Sequence, residues 1–175
     1  MSNRKDDLWR RAASFAARAH AGQVRKDGKT PYAAHPFRVA LTVRHVFHAD
    51  DETTLAAALL HDVIEDTTAD YDDLAEEFGT PVADLVSALT KDMRLEESAR
   101  EPEYDARLAR ADWRARLIKL ADVLDNLHDM VNRNDHAALR KHRDKCDRAL
   151  ALAGPDAQAH PETARAIAAV RAALA

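Results

Sequence analysis

Glycine and aromatic residues are scarce in this sequence of 175 residues, which contains 4 Gly and only 5% Phe, Trp and Tyr. A typical globular protein has about 7% Gly. Because aromatic residues favour strands and glycine serves tight turns, their scarcity disfavours a β-sheet protein. With 46% hydrophobic residues and many alanines, the composition favours closely packed helices. We therefore expect an all-α fold, with residues 1–175 forming a single domain.

The sequence also lacks cysteine pairs and long hydrophobic runs. Its single cysteine, Cys146, excludes an internal disulfide and a cysteine-based zinc site, and fits a reducing compartment. The purest apolar run, residues 55–60, is far shorter than the roughly 20 residues that cross a bilayer. The first ten residues are polar and give no secretory signal. We expect a cytoplasmic protein with no membrane partner.

The charge pattern points away from nucleic acid and toward a small anion. The isoelectric point is near 6.1, whereas nucleic-acid-binding domains often exceed about 9. Residues 1–49 carry ten Lys/Arg and three Asp/Glu, and residues 50–105 carry three Lys/Arg and eighteen Asp/Glu. A basic region beside an acidic one fits a small anionic ligand, especially if a metal ion offsets the carboxylates.

Apolar periodicity and capping residues predict a series of helices joined by short connections. Pro36 opens the second helix, because proline is preorganised for a first helical position. The predicted helices cover residues 5–20, 36–48, 71–78, 81–90, 103–132 (with or without a break), 135–152 and 161–174, together with one that Asp50 or Asp51 caps and that ends near Asp66. Residues 91–101 are predicted to form a charged loop, and no segment alternates convincingly as a strand.

The densest group of reactive side chains is HDVIED, at residues 61–66. At about 100° per residue, His61, Asp62, Glu65 and Asp66 lie on one side of a helix. The preceding AALL predicts that this helix is buried, where several ionisable groups are costly unless something compensates them. A divalent cation would do so. The non-functional alternative is a solvent-exposed helix face with charged residues at i,i+4 spacing.

Two further residues can complete a metal site. His35 lies just before Pro36, and Asp122 lies on the apolar-periodic stretch around KLAD. A set of two histidines and two aspartates suits Mn²⁺, Fe²⁺ or Zn²⁺ better than Ca²⁺. Taken alone, His35 is equally compatible with a buried structural histidine at a helix entry.

With these residues in this order, the sequence resembles the HD-domain metal phosphohydrolases. The resemblance is closer to one branch, the hydrolase domain of the RelA/SpoT alarmone enzymes and their small stand-alone relatives. It covers about residues 9–130 and rests on four strings in the order of the family. These strings are ARAHAGQVRKDGKTPYAAHP, AALLHDVIEDT, FGTPVADLVSALTK and LIKLADVLDNL.

The resemblance implies an HD-type helical bundle with one metal ion, Mn²⁺ in this family, and assigns roles residue by residue. The implied metal ligands are His35, His61, Asp62 and Asp122. Glu65 and Asp66 match the pair that orients and activates the attacking water. The implied substrate-binding residues are Arg25, Lys26, Tyr32, Thr90, Lys91, Lys119 and Asn126. Of these, Arg25 and Lys26 match a basic pair that meets phosphates, with an ordinary solvated loop as the alternative.

The activity that the resemblance implies is hydrolysis of the 3′-diphosphate of guanosine tetra- or pentaphosphate, which yields GDP or GTP and pyrophosphate. A guanosine nucleotide is then the partner, and the oligomeric state stays open. One alternative is a phosphohydrolase of another nucleotide, such as NADPH at its 2′-phosphate or a deoxynucleotide. A second alternative is a non-catalytic module that binds the alarmone.

The sequence departs from the family at several positions near the implied site. Val123 and Asp125 stand where a basic residue and often an aromatic residue or His are usual. His128 replaces a common Arg, and Ala34 replaces a larger residue before the metal histidine. These departures could alter recognition of the base or ribose. Residues 131–175 contain no string of the family and are expected to pack on the domain as C-terminal helices.

Overall fold

The computed structural model describes residues 7–175, and that part of the chain is helical, with an isolated bridge between Val24 and Pro31 and no strand. The prediction of an all-α fold is confirmed. The helices are α1 Leu8–Ala19, α2 Ala34–His45, α3 Glu52–Leu60, α4 Val63–Asp66, α5 Tyr71–Phe78, α6 Thr80–Leu89, α7 Glu97–Arg110, α8 Trp113–Asn132, α9 His136–Ala153 and α10 Pro161–Leu174, with a 3₁₀ turn at Gly154–Gln158 between the last two.

Two helices form the centre of the structure. The sequence of α3, ETTLAAALL, is apolar around most of its circumference, and residues 54–60 are all buried. A helix that is hydrophobic on all sides must be covered on all sides, and α1, α2, α6 and α8 surround it. The long α8 packs in turn against α2, α9 and α10. The side chains at the end of α3 and in the middle of α8 therefore reach the same interior region.

The predicted helix ending near Asp66 is interrupted, which corrects the prediction of one continuous helix. Asp51 caps α3, its side chain accepting from the Thr54 N–H at 2.9 Å, but α3 ends at Leu60 and α4 begins at Val63. The His61 Nδ1 bonds the Ala58 carbonyl at 2.9 Å. That carbonyl is the one that a continuing helix would offer to the N–H four residues later. The four HDVIED side chains thus do not share one face of a single helix.

Other boundaries also differ from the prediction. Helix α2 begins at Ala34 rather than Pro36, and Pro36 is tolerated there because the first N–H groups of a helix lack intrahelical acceptors. Of the predicted loop 91–101, residues 97–101 belong to α7. The predicted stretch 103–132 breaks before Asp112, whose side chain accepts from the Arg114 N–H and caps α8. Residues 5 and 6, which were predicted to begin the first helix, lie outside the described residues.

Tertiary contacts explain why α7 starts early in a charged segment. The Glu101 carboxylate accepts from Lys91 Nζ at 2.5 Å and from Arg148 Nη2 at 2.8 Å. Tyr104 and Leu108, one and two turns later, are buried in the core. Such contacts override local propensity. None of the helices within residues 7–175 has the length and apolar character of a membrane span.

Candidate active site

Four side chains from separate elements meet at the end of α3. His35 comes from α2, His61 and Asp62 from the turn between α3 and α4, and Asp122 from α8. Nε2 of His35 lies 3.4 Å from Oδ2 of Asp62 and 3.3 Å from Oδ1 of Asp122. Nε2 of His61 lies 3.2 Å and 3.9 Å from the same two oxygens. The structure therefore brings all four predicted metal ligands together. One donor atom each from His35, His61 and Asp62 lies within 4.8 Å of the other two.

The two histidines present the same nitrogen to this centre. His61 bonds the Ala58 carbonyl through Nδ1 at 2.9 Å, and His35 bonds the Asp125 carboxylate through Nδ1 at 2.7 Å. Both bonds leave the lone pair on Nε2 when Nδ1 carries the proton. Among the described residues, His61 Nε2 is buried and makes no well-aligned hydrogen bond, although Oδ2 of Asp62 lies 3.2 Å away. An orphaned buried nitrogen of this kind is costly unless a ligand satisfies it, so the donor set fits a divalent cation.

The Asp122 carboxylate is held in its ionised form. Lys119 Nζ donates to its Oδ2 at 2.8 Å, and Asn126 Nδ2 donates to its Oδ1 at 2.6 Å. Burial acts to raise the pKa of Asp122, but the Lys119 ammonium outweighs it and holds that pKa well below its usual range. An ionised carboxylate is the form that binds a metal ion.

Helix α4 places Glu65 and Asp66 beside these four residues, in two different environments. Glu65 is partly buried, and its Oε2 accepts from the Lys91 N–H at 2.9 Å. Burial raises the pKa of Glu65, and the nearby charges of Asp62 and Asp66 act in the same direction. Asp66 is exposed, and its Oδ2 is 2.9 Å from the Tyr32 hydroxyl. Glu65 therefore has the environment of a proton acceptor working nearer neutral pH.

Tyr32 connects Asp66 to the centre. Its hydroxyl lies 2.7 Å from Oδ2 of Asp62 as well as 2.9 Å from Asp66. A phenol has one O–H, so it donates to one carboxylate at a time. Tyr32 is thus placed to orient both carboxylates rather than to project freely toward a ligand.

A cavity of about 420 Å³ opens between the loop after α1 and the end of α8. Arg25 spans it, with Nε and Nη2 donating to Oδ2 of Asp129 at 3.0 and 2.8 Å, and Nη2 donating to Oδ1 of Asn126 at 2.8 Å. Lys26 is exposed at the rim. The lining of the cavity includes Tyr32, Asn126, four basic residues and two acidic ones; the charged residues are Arg25, Lys26, Arg38, Arg133, Asp27 and Asp129. Four predicted substrate-binding residues, Arg25, Lys26, Tyr32 and Asn126, therefore share one basic cavity.

The remaining predicted substrate-binding residues lie elsewhere around the centre. Thr90 ends α6, and its hydroxyl donates to the Val86 carbonyl at 2.9 Å. Thr90 and Lys91 line a separate cavity of about 370 Å³ on the side of α4. Lys119 points inward at Asp122 and lies 5.5 Å from the ring centre of Tyr104. The structure thus groups Thr90 and Lys91 with Glu65, and Lys119 with the four converging side chains, rather than with Arg25.

Three residues that sequence reasoning did not select are integral to this arrangement. Asp125 binds His35, Arg38 binds Asp125, and Asp129 binds both Arg38 and Arg25. Spacing could have indicated them, because Asp125 and Asp129 follow Asp122 by three and seven residues and so share its helix face. Arg38 follows His35 by three residues in the same way.

Comparisons with known proteins identify relatives of this chain. The HD domain family matches residues 12–151 of this chain. The guanosine-3′,5′-bis(diphosphate) 3′-pyrophosphohydrolase MESH1 of Drosophila melanogaster is 44% identical over 117 residues, which are 66% of this chain and 65% of that protein. Its Homo sapiens counterpart is 41% identical over 133 residues, which are 75% of this chain and 74% of that protein.

A solved structure is similar over nearly the whole chain. It is that of a metazoan ortholog of SpoT, described as hydrolysing ppGpp and playing a role in starvation responses. The TM-score is 0.82 at 30% sequence identity, and the superposition covers 95% of this chain and 93% of that one. The similarity in structure thus extends beyond the stretch of about two thirds of the chain that aligns with the Drosophila relative.

Proposed function

This chain belongs to the HD domain family, and we propose that it hydrolyses the 3′-diphosphate of guanosine tetra- or pentaphosphate to GDP or GTP and pyrophosphate. The observation that carries the proposal is the convergence of two histidines and two aspartates beside a basic cavity. The names of the relatives from Drosophila and Homo sapiens support the choice of substrate.

We further propose that one Mn²⁺ ion is the resident metal. His35, His61, Asp62 and Asp122 would hold it, because their donor atoms converge and the buried Nε2 of His61 makes no well-aligned hydrogen bond within residues 7–175. Nitrogen and oxygen donors without a thiolate suit Mn²⁺, with Fe²⁺ and Zn²⁺ as competitors. A bound divalent cation supplies Lewis-acid chemistry, since it polarises phosphoryl oxygens and makes a water molecule easier to deprotonate.

Glu65 takes the proton of the attacking water in this proposal. The water oxygen bonds to the phosphorus attached to the ribose 3′ oxygen, and the bond between that phosphorus and the 3′ oxygen breaks. The proton passes through Glu65 to the 3′ oxygen, so that GDP and pyrophosphate leave and one water is consumed. The raised pKa of Glu65 suits a group that accepts and then returns a proton.

Arg25 and Lys26 contribute to binding rather than to bond cleavage. A guanidinium offers a planar pair of donors that matches phosphate oxygens, and an ammonium acts as a point charge. In the structure Nε and Nη2 of Arg25 donate to Asp129 and Asn126, which fixes the side chain at the cavity and leaves Nη1 without a partner among the described residues. The hydrogen bond from Arg25 to Asn126, which in turn donates to Asp122, connects the phosphate-binding side to the metal side.

A product assay tests the proposal. Purified protein with Mn²⁺ is incubated separately with guanosine tetraphosphate, NADPH and deoxynucleoside triphosphates, with and without a chelator. We expect GDP and pyrophosphate in equal amounts from guanosine tetraphosphate, and none with the chelator. Inorganic phosphate from NADPH or cleavage of deoxynucleotides, without pyrophosphate from guanosine tetraphosphate, would instead indicate another nucleotide phosphohydrolase. Tight binding of intact guanosine tetraphosphate would indicate a non-catalytic module.

A further inference from the structure

Asp125 has a buried carboxylate, and all of the hydrogen bonds that this carboxylate makes are with residues of α2. It is only 6% exposed. Its Oδ2 accepts from His35 Nδ1 at 2.7 Å and from Arg38 Nη2 at 2.9 Å, and its Oδ1 accepts from Arg38 Nε at 2.6 Å. The Asp125 carboxylate therefore joins two side chains of α2, those of His35 and Arg38.

Burying a carboxylate is costly unless a cation and hydrogen bonds compensate it. Arg38 provides both, since its guanidinium engages the two oxygens of Asp125 in the side-by-side geometry typical of strong Arg–carboxylate pairs. Arg38 lies three residues after His35 on α2, so both side chains face α8. The triad thus joins one metal-facing histidine to one ion pair, with no other described residue bonded to the Asp125 carboxylate.

We propose that Asp125 and Arg38 are positioning residues for His35, an inference that rests on the proposed role of His35 as a metal ligand. The Asp125 carboxylate fixes the proton of His35 on Nδ1 and sets the ring so that Nε2 faces Asp62 and Asp122. Arg38 in turn fixes the carboxylate. A carboxylate behind a ligating histidine raises its basicity, and removing such a partner costs about 10- to 100-fold in metal affinity.

The two histidines differ in what holds them. His61 bonds a backbone carbonyl, that of Ala58, which no substitution removes. His35 depends on a side chain instead, so its orientation is set by residues that can vary. The affinity of the site for metal is therefore adjustable at Asp125 and Arg38 without changing any ligand.

The test measures metal affinity in the absence of nucleotide, because Arg38 also lines the cavity and contacts Asp129 at 3.0 Å. Metal-free protein is titrated with Mn²⁺, and free Mn²⁺ is followed by its electron paramagnetic resonance signal. We expect Asp125→Asn to raise the Kd for Mn²⁺ about 10- to 100-fold. Arg38→Met should raise it less, since the carboxylate remains but is no longer fixed.

Asp156→Asn is the matched control. Asp156 pairs with Arg116 through both of its oxygens at 2.6 and 2.9 Å, and that pair is also largely buried. It contacts none of the four proposed ligands. Both Asp156→Asn and Asp125→Asn should lower the melting temperature of the metal-free protein, but Asp156→Asn should leave the Kd for Mn²⁺ unchanged. A merely structural role of Asp125 would give the same result for both variants.

The outcomes separate this inference from the proposed function. If the wild-type protein binds Mn²⁺ and folded Asp125→Asn binds it equally well, the positioning role is wrong while the metal site stands. If the wild-type protein takes up no Mn²⁺, the proposed metal site fails first. Should Asp125→Asn not fold, Arg38→Met decides: weaker Mn²⁺ binding supports the pair, and an unchanged Kd overturns it.

Discussion

Replacing Glu65 with Gln should separate the chemistry of the site from its ability to hold metal. Glutamine has the shape of glutamate, and its amide oxygen can still accept from the Lys91 N–H, which bonds Glu65 Oε2 at 2.9 Å. The four converging side chains are untouched. The substitution therefore removes the negative charge and the capacity to take a proton, and little else.

The size of the effect follows from the role assigned to Glu65. General-base catalysis contributes about 10²- to 10⁴-fold, or about 2.7 to 5.4 kcal/mol at about 1.36 kcal/mol per tenfold change in rate. We expect Glu65→Gln to lower kcat for guanosine tetraphosphate by about 10²-fold or more. Mn²⁺ content should stay near that of the wild type. Glu76→Gln, on the exposed side of α5, is the matched control and should change neither quantity.

The pH dependence provides a second readout. Burial raises the pKa of Glu65, with further contributions from Asp62 and Asp66, and the base works only when deprotonated. The kcat/KM of the wild type should thus fall as the pH is lowered through that raised pKa, and Glu65→Gln should lose this acidic limb. Because a raised pKa means that the charged carboxylate disfavours the folded state above it, metal-free Glu65→Gln should also melt at a higher temperature. Wild-type turnover in Glu65→Gln would refute the assignment of this residue.

Three further substitutions test other parts of the account. Asp62→Ala should abolish Mn²⁺ uptake and pyrophosphate release together, measured by metal analysis and product assay, whereas Asp72→Ala on the exposed face of α5 should retain both. Arg25→Lys removes the planar guanidinium but keeps the positive charge. It should raise the KM for guanosine tetraphosphate about 10-fold or more and leave the Kd for Mn²⁺ unchanged. An unchanged KM would contradict a phosphate-binding role. Ala57→Leu adds volume to the fully buried α3 and should cost about 1 to 3 kcal/mol in urea unfolding, while Ala99→Leu on the exposed face of α7 should leave the free energy of unfolding nearly unchanged.

The sequence predicted the helical fold well because helices follow from local patterns. The scarcity of glycine and aromatic residues is visible in the composition alone. The cap at Asp51 and the helix over residues 161–174 depend only on residues that are close in sequence. The start of α7 at Glu97 could not be predicted in this way. It depends on Glu101 contacting Lys91 and Arg148, residues on other elements.

The convergence of the four proposed ligands was predicted from residue types and order, but for a partly incorrect geometric reason. The sequence predicts that His61, Asp62, Glu65 and Asp66 lie on one side of a continuous helix. In the structure the His61 side chain takes the Ala58 carbonyl and the helix breaks, a side-chain to backbone bond that apolar periodicity does not register. Their role as ligands remains a prediction.

The role proposed for Asp125 could not be inferred from that position alone. In the sequence, the resemblance indicates Asp125 only as a departure from the family pattern, and this departure suggests no role for the carboxylate. Its value depends on Arg38, which lies 87 residues away in sequence, and on His35, which lies 90 residues away. Spacing places Asp125 on the helix face of Asp122 and Arg38 on that of His35, but only the packing of α2 against α8 brings the three residues of the triad together.

We propose that one metal ion held by two histidines and two aspartates drives release of pyrophosphate from guanosine tetraphosphate. The most direct test of this proposal is to add Mn²⁺ stepwise to metal-free protein and measure bound metal and pyrophosphate release in the same samples. We expect the activity to rise in proportion to bound Mn²⁺ and to reach its plateau at one ion per chain. Pyrophosphate release from metal-free protein, or none at full occupancy, would contradict it.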